Sequence, residues 1–313
     1  MLNRDKVVLI TGASGMVGGA IKKLFLREGF SRILSPTREE LNLKNENDVD
    51  GFFKKNQPSY VMMIGAKVGG INANMKDPVG FVDENLRITI NLFSAAKNYG
   101  SEKNLFMGSS CIYPTGISEL IGEDRLLRGQ LEPTNEGYAL SKIIGLKLAK
   151  YYHSQYGMLT VCPMLCNVYG TGDHFDLQNS HVLSSLVKKF VDARDQGEMK
   201  VVLWGTGIAK REFMHCDDAA RAALFFMDNI DVSDHINVGW GIDISIKELA
   251  NIISGIVGFK GEIIWDSSMQ NGMLRKCMDV KKMNDFGFAP QVSIREGIMK
   301  TITEYERIKK NEY

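Results

Sequence analysis

Short, continuously apolar segments alternate with longer amphipathic segments over the first half of the chain. The apolar segments have the length of strands, and they span 7–11, 32–35, 60–64, 104–108 and 159–163. The intervening segments place apolar residues on one helix face, and they span 17–28, 49–55, 81–98 and 138–156. Strands that are apolar on both faces indicate a parallel sheet covered by helices on both sides. The pattern therefore predicts a doubly wound α/β fold.

The alternation is less regular after about residue 166. A loop rich in Gly and Asp at 169–173 precedes segments with helical or strand periodicity, which span 180–194, 200–203, 217–227, 235–239, 245–257 and 293–309. The segment 235–239 resembles a last strand of the main sheet. We therefore expect a main domain formed by 1–165 plus 213–240. A smaller α/β lobe, formed by 166–212 plus 241–313, is expected to pack over the ligand edge of the sheet.

Composition and charge exclude several classes of partner. The 313 residues include 38 basic and 37 acidic ones, giving a net charge of +1 without any charged tail. This balance does not favour nucleic acid or an anionic membrane as partner. No stretch of about 18 apolar residues occurs, and the first apolar segment is too short for a signal peptide. We therefore expect a cytoplasmic protein without a membrane span.

The five cysteines are odd in number and scattered, which is typical of thiols in a reducing compartment. Cys162 and Cys166 have a spacing that could suggest metal ligands, but no second pair accompanies them. We expect no metal site.

Three glycines directly follow the first predicted strand. Gly12, Gly15 and Gly18 lie in the run Thr11-Gly12-Ala13-Ser14-Gly15-Met16-Val17-Gly18, where the first predicted helix begins. Glycines at such a turn let the backbone approach a diphosphate, and the helix N-terminus supplies amide donors. A plain turn could give the same triplet, but the strand–turn–helix context favours a dinucleotide site.

The end of the second predicted strand distinguishes between the two nicotinamide cofactors. NAD-binding proteins usually place an acidic residue there to bind the ribose 2′-hydroxyl. This chain has Ser35-Pro36-Thr37-Arg38, with no acidic residue before Glu39. Arg38 could bind a 2′-phosphate, with Thr37 or Ser14 as hydroxyl partners, although it could also be a solvated turn residue. The sequence predicts NADPH as the cofactor.

A Tyr and a Lys four residues apart begin the long helix predicted at 138–156. Tyr138 and Lys142 share one helix face, where the ammonium would favour the phenolate and lower the pKa of the Tyr. Ser109 lies at the end of the fourth predicted strand, where its hydroxyl could meet the same carbonyl oxygen. The glycine loop, the strand-end serine and the YxxxK motif, in this order, predict a short-chain dehydrogenase/reductase of the extended kind.

The chain resembles the GDP-L-fucose synthase family of epimerase/reductases over nearly its whole length. The resemblance is carried by runs much narrower than the general reductase motifs, namely 37–43 (TREELNL), 66–70 (AKVGG), 108–114 (GSSCIYP), 131–136 (LEPTNE), 179–182 (NSHV), 204–207 (WGTG) and 211–213 (REF). It implies an NADPH-dependent enzyme with a Rossmann domain and a GDP-sugar lobe. The implied reaction is reduction at C4 of a GDP-4-keto sugar, coupled to epimerisation at C3 and C5.

The resemblance also implies roles for individual residues. Ser109, Tyr138 and Lys142 match the reductase triad, while Cys111 and His181 match the pair that exchanges protons at C3 and C5. The implied cofactor-binding residues are Gly12, Ser14, Gly15, Met16, Val17, Gly18, Arg38, Ala66, Lys142 and Asn167. The implied substrate-binding residues are Asn167, Lys189, Trp204 and Arg211. Members of this family dimerise through the two long helices predicted at 81–98 and 138–156, so we expect a homodimer.

Several positions depart from the family pattern. The family's Pro-Thr-Asn-x-Tyr-Gly-Pro-His run is here Leu165-Cys166-Asn167-Val168-Tyr169-Gly170-Thr171-Gly172, and Lys189 replaces an Arg. Ser14 stands where some members have Arg, and Gly65 replaces an Ala. These changes leave open a dedicated C4-reductase of a GDP-4-keto-heptose without epimerase activity. Cys111 could then be a buried packing residue, and His181 a capping or surface residue.

Overall fold

The protein is described by a computed structural model that covers residues 1–176, 181–268 and 273–311. Its largest sheet has seven strands, all parallel, in the order β10-β6-β4-β3-β1-β2, with β5 also pairing with β6. These strands are β1 (Val8–Ile10), β2 (Ile33–Leu34), β3 (Tyr60–Met63), β4 (Lys103–Phe106), β5 (Gly108–Ser109), β6 (Thr160–Leu165) and β10 (His235–Val238). The predicted parallel, doubly wound sheet is confirmed, and 235–238 is indeed a strand of it.

Helices of the first half connect these strands. They are α1 (Met16–Arg27), α2 (Glu46–Asn56), α3 (Ile71–Lys76), α4 (Pro78–Asn98) and α5 (Glu136–Tyr156). Helix α2 begins earlier than the apolar spacing predicts because the Asn45 side chain caps it, accepting from the amides of Asn47 and Asp48. The sequence did not predict α3, because it spans only six residues.

The second half contributes two smaller sheets. One has the order β11-β9-β13 with β7 also pairing with β9, and the other joins β8 to β12. These strands are β7 (Asn167–Tyr169), β8 (Lys200–Trp204), β9 (Lys210–His215), β11 (Asp243–Ser245), β12 (Glu262–Asp266) and β13 (Arg275–Lys276). Only β8 was predicted. The others are short or only partly buried, so they carry little periodicity.

The helices of the second half are α6 (Val182–Gln196), α7 (Cys216–Asn229), α8 (Ile246–Val257), α9 (Lys281–Asp285) and α10 (Ile294–Asn311). The helix predicted over 180–194 is α6, and its predicted first residue, Ser180, lies outside the described residues. In the described part of the chain, no helix is both long and apolar enough to cross a membrane.

Buried apolar residues form two separate cores. The first lies between the parallel sheet and its helices and includes Phe25, Phe53 and Phe93. The second lies among elements of the second half, where Phe190 of α6 and Leu249 of α8 pack with Tyr169 of β7. The segment from Met278 to Phe288 packs in the first core, although Leu249 before it and Ile298 after it pack in the second core.

Candidate active site

The glycine loop lies at the carboxyl end of β1, where β2 pairs on one side and β3 on the other. The order of the strands reverses at this point, and ligands of open α/β sheets bind in the crevice outside such a reversal. The Thr11 hydroxyl oxygen fixes the crevice, because it accepts from the amides of Ile64 and Gly65 at 3.0 Å each. The carboxyl ends of β1 and β3 are therefore held together beneath the glycine loop.

Two of the three glycines are required by the space around them. Gly12 has φ +70°, and a Cβ there would lie 2.8 Å from Cα of Gly65. A Cβ on Gly18 would collide with the carbonyl oxygen of Gly12. Gly15 is the residue that precedes α1, and no side chain caps that helix. The first amides of α1 are thus available to a diphosphate, and the residues fit a dinucleotide.

The other cofactor residues implied by the resemblance lie around this loop. Ser14 and Arg38 are exposed, Arg38 a few residues after β2, while Ala66 is half-buried after β3. Met16 and Val17 form the first turn of α1. A Cβ on Gly172 would lie 3.4 Å from Cα of Met16, so the altered 170–172 loop lies against this turn.

The three reductase residues come from neighbouring elements. Ser109 ends β5, and Tyr138 and Lys142 share one face of α5, which packs against that strand. The ammonium nitrogen of Lys142 lies 5.7 Å from the centroid of the Tyr138 ring and donates to the carbonyl oxygen of Met107 at 2.8 Å. Phe81 of α4 packs edge-on against Tyr138, with ring centroids 6.4 Å apart.

The expected lowering of the pKa of Tyr138 is wrong for this arrangement. Burial raises the pKa of Tyr138, and the Cys111 thiolate would raise it further. Burial also lowers the pKa of Lys142, to about 8. The desolvation of Tyr138 affects its pKa more than the charge of Lys142 does, because the Lys142 ammonium is hydrogen-bonded to a carbonyl oxygen rather than to the phenol. Tyr138 is therefore held as a protonated phenol, which suits a proton donor.

Cys111 lies in the turn of 3₁₀ helix that follows Ser109, and its side chain is buried. The Ser109 hydroxyl oxygen accepts from the Cys111 amide at 3.3 Å and so fixes the turn. Burial raises the pKa of the Cys111 thiol, and the charge of Lys276 opposes this rise most, followed by the hydrogen bond to Ser109 and the charge of Lys142. The thiol thus lies beside the reductase residues, as the resemblance implies.

Lys276 is a residue of this site that the sequence reasoning missed. It lies on β13, directly opposite Arg211 of β9, and acts on Cys111 although the two are far apart in the chain. The available signal was the basic pair Arg275-Lys276 in an otherwise mixed segment, which is too common to be informative alone.

The residues expected to bind the substrate come from four elements of the second half, namely β7, α6, β8 and β9. The Lys189 ammonium lies 6.0 Å from the ring centroid of the exposed Trp204 and donates to the Val202 carbonyl oxygen at 3.0 Å. The Asn167 side chain donates to the carbonyl oxygen of Glu212 at 2.8 Å, next to Arg211. Burial lowers the pKa of Arg211, while the charge of Glu132 opposes this effect.

His181 is exposed and directly precedes α6, but its side chain makes no capping hydrogen bond. The neighbouring Asn179 and Ser180 of the family run lie outside the described residues. Another histidine, His215, to which the sequence assigned no role, is buried and caps α7 by accepting from the Asp217 amide at 3.2 Å. Its ring, the Cys216 thiol and the Asp217 carboxylate lie within 4.8 Å of one another.

Comparison with known proteins agrees with this geometry. The model of the NAD dependent epimerase/dehydratase family matches residues 8–239. A probable GDP-L-fucose synthase of Oryza sativa subsp. japonica is 44% identical, over 95% of this chain and 91% of its own. The GDP-L-fucose synthase of Escherichia coli is 40% identical, over 94% of each chain. A solved GDP-mannoheptose C4 reductase from Campylobacter jejuni with NADP bound has a TM-score of 0.90 and 30% identity, covering 98% of this chain and 100% of its own.

The required glycines, the strand-end serine beside the YxxxK helix, and these full-length similarities lead to one assignment. The chain belongs to the GDP-L-fucose synthase family, within the NAD dependent epimerase/dehydratase family.

Proposed function

We propose that the protein is an NADPH-dependent enzyme that reduces C4 of a GDP-4-keto sugar and also epimerises C3 and C5. The observation that carries this proposal is the grouping of Ser109, Cys111, Tyr138 and Lys142 beside the glycine loop of a parallel sheet. The similar GDP-L-fucose synthases and the NADP-bound reductase support the substrate class and the cofactor. When bound, NADPH supplies the hydride for the reduction.

The positive charge of Arg38 among the cofactor residues supports NADPH as the cofactor. The glycine loop and the free amides of α1 would hold the diphosphate, and the exposed Arg38 would meet a 2′-phosphate. Ser14 would add a hydroxyl donor beside it, and Met16 and Val17 contribute backbone from the first turn of α1.

The reduction needs a proton at O4 of the sugar as hydride reaches C4. Tyr138 is the donor, because burial keeps its phenol protonated, and Ser109 would donate a second hydrogen bond to the same oxygen. Lys142 would hold a positive charge below about pH 8 next to the phenol, since burial lowers the pKa of Lys142 to about 8. That charge stabilises the phenolate left after proton transfer.

Epimerisation needs a base on one side of the 4-keto sugar and an acid on the other. The ketone acidifies the C–H bonds at C3 and C5, and donors from Tyr138 and Ser109 would stabilise the enolate oxygen. Cys111 would remove the proton as a thiolate, and His181 would return a proton from the opposite face.

The proposed contacts to the GDP-sugar are Asn167, Lys189, Trp204 and Arg211. Their position on the lobe side of the site supports this role.

A second candidate is a dedicated C4-reductase of a GDP-4-keto-heptose. It is supported by the similarity to a GDP-mannoheptose C4 reductase and by the altered 165–172 run, whose Gly172 lies against the first turn of α1. This reaction requires Tyr138, Ser109 and Lys142 but needs no base at Cys111.

Incubation with NADPH and a panel of GDP-4-keto sugars in D₂O distinguishes the two candidates. We expect NADPH consumption together with deuterium at C3 and C5. Cys111→Ser should abolish the deuterium incorporation while retaining reduction of a sugar that is already epimerised. Cys162→Ser, which removes a thiol buried in β6, is the matched control and should retain both activities. Reduction without deuterium in the wild type would establish the dedicated reductase, and no NADPH consumption with any sugar would contradict both candidates.

We also propose a homodimer in the cytoplasm. Helices α4 and α5 pack against each other and still expose large apolar side chains, among them Val79, Ile90, Leu140 and Tyr151. The five cysteines are all free thiols, which supports a reducing compartment. Light scattering at micromolar concentration should give twice the chain mass of 35.0 kDa, and a monomer there would contradict the dimer.

We propose that the domain formed by 1–165 plus 213–240 binds the cofactor and that the lobe formed by 166–212 plus 241–313 binds the GDP-sugar. The two separate cores support this division except at Phe213, which packs in the second core, and at 278–288, which packs in the first core.

A further inference from the structure

Asp173 is a buried carboxylate to which the proposed mechanism assigns no role. It ends a turn of residues 170–173 that follows β7, in which the Asp173 amide donates to the Gly170 carbonyl oxygen at 3.1 Å. The residue is only 9% exposed. One carboxylate oxygen accepts from the His174 amide at 2.8 Å, and the other accepts from the Ser184 hydroxyl. Burying a carboxylate is costly unless donors satisfy it, so these two bonds fix where Asp173 lies.

The 170–173 turn lies against the elements that would hold the cofactor. A Cβ on Gly172 would lie 3.4 Å from Cα of Met16, the first residue of α1. The Cys216 thiol donates to the Thr171 carbonyl oxygen at 3.8 Å, which joins the turn to the first residue of α7. Helices α1 and α7 also pack against each other. The position of the turn is therefore set by the main domain, next to the amides that would bind the diphosphate.

Ser184, the partner of Asp173, is buried in the first turn of α6. The Ser185 amide donates to the His181 carbonyl oxygen at 3.0 Å, so the proposed acid of the epimerisation is tied to the same helical turn. The far end of α6 is held differently, since the Lys309 ammonium of α10 donates to the Asp192 carboxylate at 2.9 Å. The hydrogen bond from Ser184 to Asp173 thus fixes the end of α6 at which His181 lies.

We infer that Asp173 is a positioning residue that couples the cofactor site to the sugar site. Through Ser184 it holds α6 to the turn that lies against α1, so the dinucleotide and the GDP-sugar favour each other's binding. This inference rests on the proposed function, in which His181 and Lys189 meet the GDP-sugar. Each ligand would restrain one side of the same hydrogen bond. Once one side is restrained, the second ligand has less of the protein to order, and it therefore binds more tightly.

Isothermal titration calorimetry with NADP⁺ and GDP measures this coupling without any turnover. For the full-length wild type, saturating NADP⁺ should tighten the binding of GDP by at least about fivefold, the lower end of the usual range for coupled sites. Ser184→Ala should bring this ratio close to one, while its affinity for NADP⁺ alone stays near that of the wild type. Asp173→Ala and the double variant should lose the same coupling and no more, because all three remove one hydrogen bond. Ser185→Ala, which removes the neighbouring half-buried hydroxyl, is the matched control and should keep the wild-type ratio.

Steady-state kinetics separate this role from a general loss of structure. With NADPH saturating, the KM for the GDP-sugar in Ser184→Ala should rise by the factor that the coupling loses, at least about fivefold. The kcat for reduction should stay near the wild-type value, because Tyr138 and Ser109 keep their contacts. A merely destabilised variant would instead contain fewer active molecules, which lowers kcat and leaves KM unchanged.

A ratio near one in the wild type would overturn the inference, and so would an unchanged ratio in Ser184→Ala. If Asp173→Ala does not fold, Ser184→Ala decides alone, since it removes only a hydroxyl. Failure of the wild type to bind GDP or NADP⁺ would contradict the proposed function, and the inference would fall with it. Binding of both ligands without coupling would leave the proposed function standing and contradict the inference alone.

Discussion

Replacing the buried Glu212 should damage both the fold and the site. Glu212 lies on β9 and is 1% exposed. One carboxylate oxygen accepts from the Gly241 amide at 2.6 Å and the other accepts from the Met278 amide at 3.0 Å. The carboxylate thus ties β9 to the loop after β10 and to the segment that carries Lys276.

The expected magnitude follows from these two bonds. A hydrogen bond to a charged group contributes about 1.5–3 kcal/mol, so Glu212→Ala should lower the free energy of unfolding by about 3–6 kcal/mol. Glu212→Gln keeps the shape and one acceptor, but its amide nitrogen would face a backbone N–H. We expect this variant to lose about 2–3 kcal/mol, which is the cost of one unsatisfied buried donor together with the lost charge.

Urea unfolding followed by circular dichroism measures these changes. Glu198→Ala, at an exposed position, is the control and should stay within about 0.5 kcal/mol of the wild type. At urea concentrations below its unfolding midpoint, Glu212→Gln should also show a raised KM for the GDP-sugar. The reason is that the 275–279 segment would lose a hydrogen bond that holds it in place. A stability of Glu212→Ala within about 1 kcal/mol of the wild type would refute the view that this carboxylate ties β9 to the 275–279 segment.

Three further predictions concern the chemistry. Arg38→Asp should reduce the preference for NADPH over NADH by about 1.5–3 kcal/mol in relative kcat/KM, through loss of a charge-assisted phosphate contact. Unchanged discrimination would show that Arg38 is a solvated turn residue. Tyr138→Phe should depress kcat for reduction by at least about 100-fold, whereas a smaller loss would mean that another group protonates O4. Burial lowers the pKa of Lys142 to about 8, so the ammonium is present below that pH, and kcat/KM should fall as pH rises through about 8. Lys142→Arg should move this alkaline limb upward, since a guanidinium stays protonated, and an unmoved limb would assign it to another group.

Local patterns in the sequence determine much of the main domain. The apolar runs at β1 and β3 are buried on both faces, so each predicts a parallel strand without knowledge of its neighbours. The glycine loop and the i,i+4 pair of Tyr138 and Lys142 are also local, because one turn or one helix face fixes them. These features, together with the family motifs, led to the fold, the cofactor and the reaction class.

The tertiary structure determines the features that depend on contacts between segments distant in the sequence. Strand β13 spans only two residues, so its register with β9, which places Lys276 opposite Arg211, leaves no periodic trace in the sequence. The pKa of Tyr138 is a second example. The sequence shows a lysine four residues away and suggests a lowered value, but burial raises the pKa of this group. Sequence reveals which charges are near along a helix, whereas desolvation depends on everything that packs around the side chain.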